Sequence, residues 1–85
     1  MNSSVSITVK FFAVYQEVYG VPETVWSFPI GTSVAAVLER CLREHPQLEH
    51  LRSHTRFGIN LEFVDPSVVL HDEDEVVLIP PVSGG

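Results

Sequence analysis

The sequence predicts an α+β domain in which one main helix packs across one face of a mixed sheet of four to five strands. Three observations lead to this fold class. Several segments alternate apolar and polar residues, which is typical of half-buried strands. One segment instead carries an apolar stripe at helical spacing. At 85 residues, the chain is long enough for one domain and too short for two.

The first half of the chain predicts two strands with a short helical turn between them. On the first strand, four alternating apolar residues should face the core: Val5, Ile7, Val9 and Phe11. Residues 13–20 do not continue the alternation. Their apolar residues recur at helical spacing instead, which predicts the turn. A second strand is expected over residues 23–28, with Trp26 and Phe28 on one face and Val25 on the other.

The main helix is predicted from five apolar residues that recur at i, i+3, i+4, i+7 and i+8. These residues are Val34, Val37, Leu38, Cys41 and Leu42. The hydroxyls of Thr32 and Ser33 precede the stripe and are expected to cap the first turn. Pro46 disfavours helical geometry at His45, so the helix should end about there.

The second half of the chain predicts three more strands. A third strand is indicated by four alternating residues: Phe57, Ile59, Leu61 and Phe63. Residues 68–70 indicate a short strand, and residues 76–79 a compact final strand after the acidic turn at residues 72–74. In this order the helix supplies the crossover that lets the first and last strands lie side by side in parallel. This is the β-grasp, or ubiquitin-like, arrangement.

Composition limits the classes of function. Five Lys and Arg against eleven Asp and Glu give a net charge of −6, which disfavours binding to nucleic acid or to an anionic membrane surface. A single cysteine cannot form an internal disulfide. Neither a signal sequence nor an apolar run of about 18 residues is visible. We therefore expect a small, soluble, cytoplasmic domain.

Few residues within the domain suggest chemistry of their own. His50 and His54 have the spacing of metal ligands on a helix, but no third ligand at a matched spacing accompanies them, so no metal site is predicted. Cys41 is interpreted as a core residue, with a sulfur relay as the alternative. The acidic run at residues 72–75 lacks the pattern of a calcium loop and is expected to be a solvated turn. We expect neither a bound cofactor nor a self-sufficient enzyme.

The end of the chain is the most informative segment. Pro80 and Pro81 end the last strand, because proline cannot donate to a strand ladder, and they favour an extended conformation. Six residues from Pro80 could span ~20 Å at about 3.3 Å each. The two glycines at the tip carry no side chain, so the tip could enter a narrow channel and present its carboxylate to another protein. We predict a β-grasp domain over residues 1–79 and a functional tail over residues 80–85, with a frayed terminus as the alternative.

Several motifs resemble the molybdopterin synthase small subunits (MoaD) of the MoaD/ThiS ubiquitin-like family. They are Val9-Lys10-Phe11-Phe12-Ala13, Ile59-Asn60 and the ending Pro80-Pro81-Val82-Ser83-Gly84-Gly85. The ending is the most particular, because carriers of the thiamine pathway usually lack the proline pair. The family commonly has Asp-Gly-Asp before the last strand, whereas this chain has Glu73 at the central position. Glu73 would have to adopt the left-handed geometry of a turn residue, or the turn differs.

The resemblance implies a sulfur carrier in molybdenum cofactor biosynthesis. An ATP-dependent adenylyltransferase of the ubiquitin-activating type (MoeB-like) would adenylate the carboxylate of Gly85, which is then converted to a thiocarboxylate. The synthase large subunit (MoaE-like), expected in a heterotetramer with two copies of each subunit, would use the sulfur to build molybdopterin from cyclic pyranopterin monophosphate. The residues expected to thread into the partners are Gly84, Ser83, Val82, Pro81 and Pro80, the two prolines forming a stiff neck.

A docking face for these partners is predicted beside the neck. If the odd-numbered residues of the first strand face the core, Phe12 points to the other face of the sheet. On the last strand, Val77 and Ile79 would point the same way. These three side chains should therefore gather on the open face near Pro80, where they would form an apolar patch. The alternative is that the helical turn at residues 13–20 folds over them.

Other functions are compatible with the same residues. A related carrier could deliver sulfur for thiamine, cysteine or tRNA thiolation. A ubiquitin-like modifier would instead join Gly85 to a lysine of a target protein, and a plain interaction module would have an inert tail. A free thiocarboxylate indicates a carrier, whereas an isopeptide bond indicates a modifier.

Overall fold

The computed structural model describes residues 3–82 and places five strands in one mixed sheet in the order β2-β1-β5-β3-β4. The strands are β1 (Ser4–Phe11), β2 (Glu23–Pro29), β3 (Arg56–Ile59), β4 (Glu62–Val64) and β5 (Glu75–Ile79). The helices are α1 (Val14–Tyr19), α2 (Ala35–Glu44) and a 3-10 helix at Pro46–Leu51. β1 and β5 are parallel, and the other neighbouring strands are antiparallel. The predicted β-grasp class is confirmed.

The core lies between one face of the sheet and the helices. The four predicted residues of β1 are buried, and so are Val76 and Leu78 of β5. On β2, Trp26 and Phe28 are buried while Val25 is exposed, as predicted. All five residues of the α2 stripe are buried as well. Because successive side chains of a strand point to opposite faces, this pattern leaves the second face of the sheet open.

The short helix α1 packs on the helical side of the sheet. Tyr15 is buried, and its hydroxyl shares a 2.5 Å hydrogen bond with Oγ1 of Thr55. Tyr19 stacks on Phe11, with ring centroids 4.3 Å apart. Since both tyrosines pack against the core residues, the alternative in which this segment folds over the open face is wrong.

The start of α2 differs from the prediction. The helix begins at Ala35, and no side chain caps it, so the cap expected from Thr32 and Ser33 is wrong. The N–H groups of Val34 and Ala35 donate instead to backbone carbonyls of the loop after β4, at 2.8 and 3.1 Å. These acceptors lie far along the chain, which is why the local sequence gives no sign of them.

The predicted third strand is in fact a hairpin of two strands. Asn60 and Leu61 have positive φ angles of 49° and 72° and form the two-residue turn between β3 and β4. The reversal keeps Phe57 and Ile59 of β3 in the core but leaves Leu61 and Phe63 exposed. The period-two pattern failed here because a two-residue turn can preserve the alternation of apolar residues while it reverses the chain.

The segment before β5 also needs two corrections. Residues 68–70 add no strand to the sheet, since Val69 forms only an isolated bridge with Ser33. The acidic turn is not simply solvated, because Asp74 is buried. Its Oδ2 accepts a 2.8 Å hydrogen bond from the N–H of His71. Glu73 adopts a φ of 69°. This is the left-handed geometry expected if the chain keeps the turn that Asp-Gly-Asp forms in the family.

None of the helices within residues 3–82 is long and apolar enough to span a membrane.

Candidate functional site

The neck, formed by Pro80 and Pro81, directly follows the last residue of β5. Val82, the next residue, is 98% exposed, so its side chain makes almost no contact with the domain. Two clefts flank this segment, with volumes of about 560 and 370 Å³, and both are lined by the prolines and Val82. Ser83, Gly84 and Gly85 lie outside the described residues. The structure therefore shows how residues 80–82 leave the sheet.

The two clefts beside the neck carry a few charged and imidazole groups. His54 and Arg56 line the larger cleft, and Glu17 and His50 line the smaller one. The 3-10 helix ends at Leu51, so the two histidines do not share a helix face. Within residues 3–82, no group of three or more His, Cys, Asp or Glu side chains is placed to hold a metal ion.

The open face of the sheet carries an apolar groove beside the neck. The groove has a volume of about 200 Å³ and is lined by Phe12, Gly58, Leu61, Glu62, Phe63, Val77 and Ile79. The structure thus brings together the three residues that the sequence placed on this face. Phe12 and Phe63 are 48% and 72% exposed, whereas Val77 lies at the bottom with 9% exposure. We call this feature the open-face groove.

Strand register explains why these residues meet. Val77 pairs with Lys10 of β1 on one side and with Gly58 of β3 on the other. Gly58 in turn pairs with Phe63 of β4. Residues that are directly paired across strands have their side chains on the same face, so this row runs across the open face. The groove exists because a glycine occupies the position between two large apolar neighbours.

Lys10 marks the boundary between the groove and a charged part of the open face. Its Nζ lies 3.5 Å from a carboxylate oxygen of Glu75 and 4.0 Å from one of Glu23. Both ion pairs are partly solvated, so each contributes little to stability. They hold the lysine side chain toward the acidic side chains of β2 and β5. On the side of β1, the groove is therefore bordered by charged groups.

Four residues of the groove were not predicted as site residues: Gly58, Leu61, Glu62 and Phe63. They were missed because the third strand was interpreted as continuous. The available signal was Asn60, since asparagine tolerates the left-handed conformation and favours the first position of a two-residue hairpin turn.

Cys41 takes its predicted place in the core. Its side chain is buried, and burial raises the pKa of the thiol to about 11. At neutral pH the group is therefore a thiol rather than the nucleophilic thiolate that a sulfur relay would need. This environment favours the core interpretation over the relay.

Comparison with known proteins places the chain in a family. Residues 9–85 match the ThiS family. A molybdopterin synthase sulfur carrier subunit from Arabidopsis thaliana is 36% identical over 84 residues, which covers 99% of this chain and 88% of that protein. One from Chlamydomonas reinhardtii is 37% identical over 81 residues, which covers 93% of this chain and 98% of that protein.

Solved structures share the fold over nearly the whole chain. A putative molybdopterin converting factor, subunit 1, from Pyrococcus furiosus has a TM-score of 0.78 at 26% identity, covering 92% of this chain and 99% of that one. SAMP1 from Haloferax volcanii has a TM-score of 0.77 at 28% identity, covering 94% and 99%. The chain therefore belongs to the ThiS family, among the molybdopterin synthase sulfur carrier subunits that act in molybdenum cofactor biosynthesis.

Proposed function

We propose that this chain is the non-catalytic small subunit of molybdopterin synthase and that Gly85 carries the transferred sulfur. The observation that carries the proposal is the exit of the chain from β5: the neck follows Ile79 directly, and Val82 is 98% exposed. Family similarity that extends to Gly85 supports a role for the tip as well. In this proposal residues 1–79 are the folded domain and residues 80–85 are the tail.

The chemistry begins at the carboxylate of Gly85. A carboxylate resists nucleophiles because its negative charge is delocalised and its oxygens are poor leaving groups. Adenylation with ATP by an activating enzyme of the ubiquitin-activating type converts it to a mixed anhydride and releases pyrophosphate. Hydrosulfide then attacks the carbonyl carbon and loses its proton, and AMP leaves with one of the former carboxylate oxygens. The product is a C-terminal thiocarboxylate, and ATP is bound by the activating partner rather than by this chain.

The thiocarboxylate then delivers its sulfur inside the synthase large subunit. There the substrate is cyclic pyranopterin monophosphate, and two carriers supply the two sulfurs of the dithiolene in a complex with two copies of each subunit. Gly84 and Ser83 precede the reacting group and are small enough to pass through a narrow channel. Acid and base groups come from the partners, and the reaction takes place in the cytoplasm.

The open-face groove is the proposed docking surface for both partners. Ile79 lines the groove and immediately precedes the neck. A protein that covers the groove therefore also holds the base of the tail and sets its direction. Burial of exposed apolar side chains such as Phe12 and Phe63 supplies favourable free energy for this contact.

Removal of Gly84 and Gly85 tests the proposal. The truncated protein should unfold at the same temperature as the wild type, because the two residues follow an exposed segment, but it should form no molybdopterin with purified partners. Intact mass spectrometry of the wild type should show the mass increase expected when one oxygen of Gly85 is replaced by sulfur. The Val25→Ala variant is the control, since it truncates an exposed side chain of β2 and leaves the whole tail intact. Full activity of the truncated protein would exclude the carrier role.

A ubiquitin-like modifier is the second candidate function. The observation in its favour is the similarity to SAMP1, a small archaeal modifier protein, at 28% identity. In that case Gly85 would form an isopeptide bond with a lysine of a target protein. Digestion of host proteins followed by mass spectrometry separates the two candidates, because only a modifier leaves the end of this chain attached to lysine side chains.

A further inference from the structure

Gly58 occupies the middle of β3 although the backbone does not require glycine there. The glycines with positive φ within residues 3–82 are Gly20 and Gly31. A Cβ at Gly58 would lie 3.6 Å from the carbonyl oxygen of Glu62 and 3.7 Å from Cβ of Val77, which are ordinary van der Waals separations. Glycine inside a strand is unfavourable because it loses the most conformational freedom on folding. The fold alone would therefore favour alanine or a β-branched residue at this position.

Leu61 shows the opposite anomaly. It is the second residue of the two-residue turn between β3 and β4, where its φ is 72°. Such turns favour Asn-Gly because both central residues have positive φ, and only Asn60 fits this preference. A leucine in the left-handed region is strained by its Cβ. Its side chain is 91% exposed, so it adds almost no burial to the domain. The fold alone would favour glycine here.

Both residues line the open-face groove, and each has the type of side chain that keeps the groove deep. A Cβ at Gly58 would point into the groove, because Gly58 is paired with Val77 and Phe63 on that face. A glycine at position 61 would remove part of the apolar lining. We propose that Gly58 and Leu61 shape the groove as a socket for one large apolar side chain of the synthase large subunit. This inference rests on the proposed function, in which that subunit docks on the open face.

The size and lining of the groove indicate what the socket accepts. Its volume of about 200 Å³ is several times the ~30 Å³ of one liquid water molecule, which is enough for a large side chain. Glu62 is the one charged residue of its lining within residues 3–82, so the inserted group should be aliphatic or aromatic. The partner residues around it should be basic, because the chain has a net charge of −6.

The position of the groove favours the large subunit over a second copy of this chain. Ile79 belongs to the groove and precedes Pro80, so the partner that receives the tail also covers the socket. Two copies that covered each other's sockets would compete with the delivery of the tail.

The experiment combines thermal unfolding with binding of the purified large subunit by calorimetry. The socket variants are Gly58→Ala, Gly58→Val and Leu61→Gly. The control is Ser27→Val, which adds a β-branched side chain to the exposed face of the edge strand β2, away from the groove. All three socket variants should raise the unfolding temperature by about 2–6 °C, because each relieves a local conflict of the fold.

The same variants should weaken binding although they stabilise the domain. We expect the Kd to rise by about 3–10-fold for Gly58→Ala, and by about 10–100-fold for Gly58→Val, which fills more of the socket. Leu61→Gly should raise it by about 10-fold through the loss of an apolar contact. Ser27→Val should bind like the wild type. Gain of stability together with loss of affinity is the result that a purely structural role would not produce.

Four results would overturn the inference. One is unchanged affinity of both Gly58 variants, and another is an equal loss of affinity in Ser27→Val. A lower unfolding temperature of Gly58→Ala would show that the fold itself needs glycine there. If Gly58→Val does not fold, the affinity and the unfolding temperature of Gly58→Ala alone test the inference. Self-association of the wild type that Leu61→Gly abolishes, seen by sedimentation, would identify a second copy as the occupant instead. A wild type that neither binds the large subunit nor carries sulfur would contradict the proposed function itself.

Discussion

Asn60 and Asp74 connect the β3–β4 turn to the acidic turn before β5: Nδ2 of Asn60 donates a 3.0 Å hydrogen bond to Oδ1 of Asp74. Oδ1 of Asn60 accepts a second 3.0 Å bond from the N–H of Glu75. The asparagine thus spans from the hairpin to the start of the strand that leads into the neck. These contacts join the hairpin that lines the groove to β5, the strand that leads into the neck.

Replacing Asp74 should destabilise the domain. Asp74→Ala leaves the amide of Asn60 and the N–H of His71 without their acceptor, and a hydrogen bond to a charged group contributes about 1.5–3 kcal/mol. We expect a loss of about 2 kcal/mol in the free energy of unfolding, measured by urea denaturation. Asp74→Asn keeps one acceptor oxygen and should lose less. Wild-type stability of both variants would show that the contact does not contribute.

Stability should depend on pH through Tyr19 and Glu44. The hydroxyl of Tyr19 donates a 2.7 Å hydrogen bond to Oε1 of Glu44, and this bond lowers the pKa of Glu44 below its usual 4.5. Burial, together with the same carboxylate, raises the pKa of Tyr19 above its usual 10. The contribution of Glu44 is present above pH 4.5 and is lost as the pH falls through its folded-state pKa. The contribution of Tyr19 is present below pH 10 and is lost as the pH rises above it.

Unfolding temperatures measured across the pH range test this pair. Glu44→Gln should reduce the fall in unfolding temperature at acid pH. Tyr19→Phe should reduce the fall in unfolding temperature at both acid and alkaline pH. Ser27→Val, which changes an exposed side chain of β2 and removes no titratable group, is the control and should keep both sides as in the wild type. Parallel curves for wild type and Tyr19→Phe would contradict the assignment.

Cys41→Ala should affect the fold and leave sulfur transfer intact. The thiol is buried, so its loss should cost on the order of 1 kcal/mol of unfolding free energy. Because burial raises the thiol pKa to about 11, the wild type should also react slowly with iodoacetamide at neutral pH until it is unfolded. Formation of the thiocarboxylate should be unchanged by mass spectrometry. A folded variant that can no longer be thiocarboxylated would restore the relay interpretation.

Ile79→Asp should abolish docking without unfolding the domain. Ile79 lines the open-face groove at an intermediate level of burial, and an unpaired carboxylate buried in an apolar contact is costly. We expect binding of the large subunit to weaken by at least about 100-fold in calorimetry, which corresponds to about 2.8 kcal/mol. The unfolding temperature should change by only a few degrees.

Ile30→Asp is the matched control for Ile79→Asp. Ile30 is 62% exposed and follows β2 at the opposite end of the sheet, roughly 25 Å from the neck at about 3.3 Å per residue of β1. The substitution is chemically identical, but binding should be as in the wild type. Similar losses of affinity in both variants would mean that the groove is not the docking surface, and unfolding of Ile79→Asp alone would mean that its side chain belongs to the core.

The sequence by itself determined the fold class, the faces of β1, β2 and β5, and the neck. Period two assigned Phe11 to the core and Phe12 to the open face, and a proline pair ends a strand whatever surrounds it, so these features depend on local chemistry. The tertiary structure decided the rest. The start of α2 is satisfied by distant carbonyls, and the reversal at Asn60 and Leu61 brings a second wall beside Val77. Both features depend on contacts between separate segments of the chain. The period of apolar residues in one segment carries no information about which other segment will pack beside it.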